Sequence, residues 1–307
     1  MPIHHWTLER AGDLAECYNR QIAGLPYCYP QSSEGFVQGI QEDLQELYGW
    51  SRDYLHSEKM IVAEEGSGLA GFVHVGVEEK EEKGYLKKRG IIRFLGYEPG
   101  HRPIGQALLD ETERQFQHWG ITDVLAFSKG YIYHFCSPDG GYSELAGHIS
   151  GLLGINGYKI SGRTVNMALE NLQLSEPVIP DQEVQIAVAG DNKRSKLPQV
   201  NVRAYASGGS PDDAFGECFA YPLEHVQSAE GAQDQIYINW LGVNGEFQGK
   251  GWGRYLLLRA LWEAQKVGYK HSVLATDERN HRAQLFYTNY GYWTTHSSYS
   301  YSKDLSE

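Results

Sequence analysis

The spacing of apolar positions changes along the chain, and each change marks a strand or a helix. Residues 3–8 alternate weakly, as a strand does. Leu14, Cys17, Tyr18 and Ile22 then fall three to four apart, which predicts a helix over 13–22. Ser32-Ser33-Glu34 is a helix start for a second stretch carrying Phe36, Val37, Ile40 and Leu44. Residues 59–63 and 69–77 read as two strands joined by the turn Glu65-Gly66-Ser67-Gly68. The mixed charges of 78–89 read as a solvated loop. Next come an apolar strand over 90–96, a glycine- and proline-bearing loop over 98–105, and a helix over 106–119 that Gly120 stops. A strand at 121–127, a shorter helix at 144–153 and a strand pair ending near Glu170 complete the first half.

Residues 171–200 are polar and broken by Pro177, Pro180, Asp191-Asn192-Lys193-Arg194 and Pro198, with a strand-like stretch at 183–189. They mark the candidate boundary between domains 1–170 and 171–307. The second half then reads as a strand pair (200–206 and 214–221), a strand (235–243) and a glycine loop (244–253). A helix (255–267), a strand (272–276), a helix (281–290) and closing strands (292–305) follow. Both halves share one plan. A glycine loop leads into a helix that opens with Leu-Leu, and Leu108 to Gly120 spans the same twelve residues as Leu256 to Gly268. Each helix is followed by Val-Leu-Ala, at 124–126 and 273–275. The second copy lacks the two opening helices, so the duplication is incomplete. Strands alternating with helices give an α/β (α+β) chain.

Composition narrows the function. The 307 residues carry a net charge of −12, which disfavours nucleic acid and suits a cationic small molecule. No apolar run approaches the roughly 18–20 residues of a membrane helix, and the N-terminus does not read as a secretory signal. The four cysteines, Cys17, Cys28, Cys136 and Cys218, form no CxxC pair, which argues against a disulfide framework or zinc ribbon. No HExxH occurs among the histidines, so no metal is expected, and a reducing cytoplasm is the expected compartment.

The sharpest chemical signal is Val-Asn-Gly-Glu-Phe-Gln-Gly-Lys-Gly-Trp-Gly-Arg, from Val243 to Arg254. Gly249, Gly251 and Gly253 alternate between the end of an apolar strand and the start of a helix. Such a loop can aim several N–H groups at one point, where the helix end adds partial positive charge. A Cβ would keep a phosphate from the backbone. Lys250 and Arg254 add positive charge locally. The spacing fits neither the Walker loop, which needs GxxxxGK[ST], nor the dinucleotide pattern GxGxxG.

Gln248-Gly249-Lys250-Gly251-Trp252-Gly253 does resemble the Q/R-x-x-G-x-G/A motif of the GNAT superfamily of acyl-CoA-dependent N-acetyltransferases. Asn280, Ala283, Phe286, Tyr287 and Gly291-Tyr292 resemble that family's second signature. The resemblance implies two GNAT-like domains, each a mixed, mostly antiparallel twisted sheet flanked by helices. It implies acetyl-CoA as co-substrate, with backbone around Leu241 and Val243 pairing the pantetheine. Gln248, Gly249, Lys250, Gly251, Trp252, Gly253 and Arg254 would hold the pyrophosphate. Asn280 and Phe286 would lie at the cofactor, and Tyr287 near its sulfur as general acid. Asn280 also reads as a plain helix cap, and Phe286 and Tyr287 as aromatic core.

The expected reaction is transfer of an acetyl group to a primary amine on a small cationic molecule, by direct attack in a ternary complex. The competing reading is a non-catalytic acyl-CoA sensor. Glu217, Glu224, His225 and Asp277 stand as candidates for the base, and Asn239 as a group to position water. In the first half, Gly100, Pro103 and Gly105 align with Gln248, Gly251 and Gly253. Proline has no N–H, so Pro103 removes a donor, and this copy reads as degenerate, without an acyl-CoA site. The aromatic run 131–136 is expected either to wall an acceptor pocket or to form core.

Overall fold

The computed structural model describes residues 2–6, 8–41, 52–66, 68–82, 84–137, 139–181, 183–190, 195–225 and 230–306. Leu44 and residues 191–194, assigned above to a helix and to the boundary, lie outside the described residues. The chain divides into two compact units, Met1–Val165 with His296–Glu307, and Asn166–Thr295. The expected boundary at 170/171 thus lies five residues after the division, and the last residues of the chain join the first unit.

In the first unit β1 (Ile3–Trp6), α1 (Ala11–Gln21) and α2 (Ser33–Gln41) precede β2 (Leu55–Glu65), β3 (Gly68–Glu82) and β4 (Tyr85–Tyr97). There follow α3 (Arg102–His118), β5 (Asp123–Ala126), β6 (Tyr142–Ser143), α4 (Gly147–Ile155) and β7 (Lys159–Leu169), whose last residues pass into the second unit. The sheet order is β1-β2-β3-β4-β5, antiparallel except for the parallel pair β4–β5. The final strand β13 (Trp293–Asp304) adds to β5 antiparallel, Tyr301 opposite Ala126, and it also pairs β6.

Three expectations change here. Residues 78–82 and 85–89 are not loop but the ends of β3 and β4. Cross-strand ion pairs join Glu78 to Arg89 at 2.9 Å and Glu79 to Lys88, so the mixed charges satisfy one another across the ladder. Helix α3 starts at Arg102 instead of Gln106, because Pro103 sits in its first turn, where a missing N–H costs nothing. The strand pair expected at the end of the first half and the strands expected over 292–305 are each a single strand, β7 and β13.

Burial holds two first-unit histidines neutral. The ring of His296 is 7% exposed, and burial lowers its pKa from 6.5 to about 4, against a small opposing pull from Glu144. Burial, then the cations of Arg93 and Lys129, brings His134 down to about 3. An imidazole depressed in the folded state stabilises fully above its unfolded pKa, and that stability is lost as pH falls from about 6.5 towards the folded value. We expect denaturant unfolding of the wild type to lose about 2 kcal/mol more than His296→Asn between pH 7 and pH 5. Equal losses in the two proteins would remove His296 as the cause.

The second unit is built from β8 (Val184–Ala189), β9 (Val200–Ala206), β10 (Gly216–Pro222), β11 (Gln235–Val243), α5 (Trp252–Val267), β12 (His271–Asp277) and α6 (His281–Thr288). Strands β8 to β11 are antiparallel in sequence order, and β12 joins β11 parallel. Leu256, Leu257, Ala260, Leu261 and Ala264 form the buried stripe of α5, with helical spacing, each leucine contributing about 1.5–3 kcal/mol. Gly216 admits that helix to the sheet, because a Cβ there would stand 2.8 Å from a Leu256 methyl.

Strand β11 positions the site through two irregularities. Its pairing with β10 skips Asn239, a β-bulge between Ile238 and Trp240. Its parallel pairing with β12 ends at Ile238 opposite Leu274, although both strands continue. Among the described residues, 239–243 therefore have no sheet partner on the β12 side.

Candidate active site

Where β11 and β12 part, a cavity of about 410 Å³ opens. Leu241, Gly242 and Val243 form one wall. Gln248, Gly249, Gly251, Gly253 and Arg254 form its end at the mouth of α5. Asn280, Arg282, Ala283, Phe286, Tyr287 and Tyr290 close it from α6 and its C-terminal turn. Gly249 and Gly251 have φ of +75° and +88°, the left-handed region that glycine enters without strain. The first intrahelical donor of α5 is the Tyr255 N–H, to the Gly251 carbonyl at 3.0 Å, so the N–H groups of residues 252–254 point out of the helix end. A Cβ on Gly253 would meet the Phe286 ring at 3.8 Å, at the edge of the cavity.

Ten of the twelve residues expected at the cofactor line this space, and two do not. The Trp252 side chain is buried beneath the loop, edge-on to Phe215 at 5.0 Å, so only its backbone faces the helix mouth. The Lys250 ammonium lies over the Phe247 ring at 5.5 Å. Asn280 caps α6, its side-chain oxygen accepting from the Ala283 N–H at 3.1 Å, and it lines the cavity as well. Gln248 donates to the Val243 carbonyl at 2.8 Å and ties the loop to the strand end.

Gly242, Arg282, Ala283 and Tyr290 were not singled out from the sequence as cavity residues. Positions 282, 283, 286, 287 and 290 share one helical face, so the period that found Phe286 and Tyr287 could have found the rest. Arg282 and Arg254 are the cations of this lining.

Tyr287 is half-buried, its ring packed on Phe286 at 5.3 Å and Tyr292 at 5.5 Å. Its hydroxyl makes no hydrogen bond among the described residues. Burial, and then the nearby Cys218, raises its pKa well above the ordinary 10. Cys218 is itself pushed up to about 12 by burial, so it offers a thiol rather than a thiolate nucleophile.

The residues proposed as bases separate. Asp277 is lowered to about 2 by hydrogen bonds from Arg279, which makes it a poor proton acceptor. Glu224 accepts from the Lys196 N–H at 2.9 Å. The side chain of His225 lies outside the described residues. Glu217, on β10 opposite Gly242, lines a second cavity.

In the first unit the parallel pairing of β4 with β5 stops at Ile92 opposite Ala126, where β5 itself ends. There Phe94 stacks on Tyr133 at 5.4 Å and Phe127 on Tyr142 at 4.9 Å, all four buried. At the mouth of α3, a Cβ on Gly105 would stand 2.3 Å from the Tyr97 ring. The run 131–136 contributes Ile132, Tyr133, Phe135 and Cys136 to this unit's own core rather than to a pocket wall. Tertiary packing also brings Cys28 to Cys136, Sγ to Sγ 3.5 Å, both as free thiols.

Comparison with known proteins gives one family match, the acetyltransferase (GNAT) family, over residues 202–292. That segment contains β11, the glycine loop, α5, β12 and α6. It belongs to the GNAT family. The D-amino-acid N-acetyltransferase HPA3 of Saccharomyces cerevisiae is 38% identical over 82 residues, 27% of this chain and 49% of the yeast protein. The chain thus aligns with about half the length of that relative. A tandem GNAT protein of the clavulanic acid biosynthesis pathway superposes with TM-score 0.69 at 12% identity, over 99% of this chain and 98% of that one. The GCN5-related glucosamine N-acetyltransferase region of a fungal multi-domain GH3 β-N-acetylglucosaminidase gives 0.66 at 13%, over 98% and 38%. At such identities the likeness is one of fold, and the fold is that of a tandem GNAT chain. The GNAT segment coincides with the open cavity, whereas the aromatic-filled copy lies outside it. No helix among the described residues is long and apolar enough to cross a membrane.

Proposed function

We propose that the chain is an N-acetyltransferase that binds acetyl-CoA in the second-unit cavity and transfers its acetyl group to a small primary amine. The observation that carries this reading is the conjunction of an unpaired strand edge at 241–243 with a glycine-lined helix mouth at its end. The edge offers amide partners for pantetheine, and the mouth offers N–H groups and Arg254 for a pyrophosphate. Gly249, Gly251 and Gly253 keep Cβ atoms out of that approach, Lys250 and Trp252 contribute backbone, and Gln248 braces the loop. Arg282 adds charge beside Asn280 and Phe286. The yeast relative, whose name gives it D-amino acids as substrates, supports a small amine as acceptor.

The chemistry follows from the charges that develop. A substrate ammonium, with pKa near 10.4 for a lysine-like amine, releases one proton to solvent before it attacks. Its nitrogen forms a bond to the thioester carbon, and backbone N–H groups beside the Asn239 bulge meet the developing oxyanion. The carbon–sulfur bond then breaks, the second nitrogen proton is released, and the Tyr287 phenol protonates the departing sulfur and recovers a proton from solvent. The balance is ammonium plus acetyl-CoA to acetamide, CoA thiol and one proton. No cysteine is poised for an acyl-enzyme, which favours direct attack in a ternary complex.

We assign no acyl-CoA site to the first unit, because aromatic rings fill the space beyond the β4–β5 pairing, Tyr97 covers Gly105 at its helix mouth, and Pro103 has no N–H to offer there. Calorimetry with acetyl-CoA is expected to give one site per chain, and thiol release with a panel of amines to show turnover. Two sites would restore the first copy, and binding without turnover on any amine would leave a sensor instead of an enzyme.

A further inference from the structure

The segment that follows β7 belongs to the second unit and runs along α5 against the helix direction. The Leu172 N–H donates to the Lys270 carbonyl at 2.8 Å, just past the C-terminal end of α5. The Leu174 N–H donates to Gln265 Oε1 at 2.7 Å, and Gln265 Nε2 donates back to the Leu174 carbonyl at 3.2 Å. Glu176 then pairs with Arg259 at 3.2 Å. Pro180 arrives at the glycine loop, where a Cβ on Gly251 would stand 3.8 Å from the proline ring. From Gln265 back to Gly251 the helix rises about 21 Å, and the chain from Leu174 to Pro180 reaches about 20–22 Å when fully extended. The segment is therefore drawn out nearly straight, and Pro177 and Pro180 help to hold it so by fixing φ.

The run Pro177-Val178-Ile179-Pro180 adds nothing to the core of its unit. Val178 is 86% exposed, the most exposed large apolar side chain among the described residues. Leu172, Leu174 and Glu176 already anchor the segment, so the apolar run is not needed for that purpose. With pantetheine along 241–243 and the diphosphate at the mouth of α5, the nucleotide end of CoA lies beyond that mouth, at its rim. That end carries a neutral base with flat apolar faces, and a 3′-phosphate. Glu176 and Asp181 flank the apolar run and repel the phosphate, whereas the base carries no charge to be repelled. The cations of the cavity lining, Arg254 and Arg282, stand on α5 and α6 instead.

We propose that residues 177–180 form the surface on which the adenine of the CoA substrate packs, with Val178 and Pro180 as its principal contacts. The inference rests on the acetyl-CoA reading above and adds the residues that hold the nucleotide end. They are binding residues and take no part in the transfer itself.

Calorimetry with three ligands tests this: CoA, 4′-phosphopantetheine, which lacks the adenosine, and adenosine 3′,5′-bisphosphate, which is the detached nucleotide end. Val178→Ser is expected to weaken CoA about tenfold, because covering a valine side chain stabilises on that order, and to leave 4′-phosphopantetheine unchanged. Val178→Trp should tighten CoA about threefold or more by enlarging the face on which the base stacks, again without effect on 4′-phosphopantetheine. A side chain so exposed is not needed for folding, and a thermal melt of each variant checks this. CoA affinity at the wild-type value in both variants would overturn the inference and leave the acetyl-CoA reading standing. Equal weakening of CoA and 4′-phosphopantetheine in Val178→Ser would also overturn it, by making the segment a brace for the helix mouth. A wild-type chain that binds none of the three would sink both readings. Binding of adenosine 3′,5′-bisphosphate that Val178→Ser weakens, in a chain with no affinity for 4′-phosphopantetheine, would uphold the adenine surface and sink the acetyl-CoA reading.

Discussion

Gly253→Val is expected to weaken acetyl-CoA binding at least a hundredfold, about 2.7 kcal/mol, while leaving the chain folded. The site sits in the first turn of α5, where the glycine Cα faces the cavity and the nearest atoms to an added Cβ are on the Phe286 ring at 3.8 Å. The first methylene fits, and the branch beyond it enters the space where a pyrophosphate must reach the backbone. Helix propensity works the other way, since valine is a few tenths of a kcal/mol better than glycine inside a helix. Lost affinity therefore cannot be laid to lost fold. Calorimetry with CoA and acetyl-CoA, beside a thermal melt, reads both quantities. Gly251 is a less clean choice, because its φ of +88° would strain any side chain there. Unchanged affinity in Gly253→Val would move the nucleotide away from this helix mouth.

Tyr287→Phe is expected to lower kcat by about a hundred- to ten-thousandfold, the usual range for a positioned acid, with acetyl-CoA affinity nearly unchanged. The substitution keeps the ring contacts with Phe286 and Tyr292 and removes only the hydroxyl. The pH profile carries a sign. Burial raises the Tyr287 pKa above 10, so the protonated, acid form persists through the alkaline range. Wild-type kcat/KM should rise with pH as the acceptor loses its proton, with no falling limb from Tyr287 below pH 10. The variant should run parallel to it and far lower. A wild-type maximal rate in Tyr287→Phe would take the phenol out of the reaction.

These two residues were legible before the fold was known for different reasons. The alternate glycines announce a loop whose backbone must be approached, a property of three positions within five residues and hence of sequence. Tyr287 was legible through its place after Asn280 and Ala283. Val178 was not, because its meaning depends on residues 172–180 lying along α5, which brings them to Gly251. The hairpin at 78–89 escaped for a similar reason. Its charges read as solvated until Glu78 and Arg89 are seen to face each other.

The amino-acid sequence by itself determined the succession of elements, the doubled plan and the glycine loop, because helix and strand periods, helix stops and left-handed turns are decided within a few residues. Tertiary structure decided which copy has room for a ligand. Glycines precede the longest helix of each unit, but Tyr97 covers Gly105 in one while Gly253 looks into open space in the other. It also decided where the chain ends, since Tyr301 pairs with Ala126 of the first unit. Pairing, packing and enclosure join residues far apart in the chain, and no local pattern carries that distance.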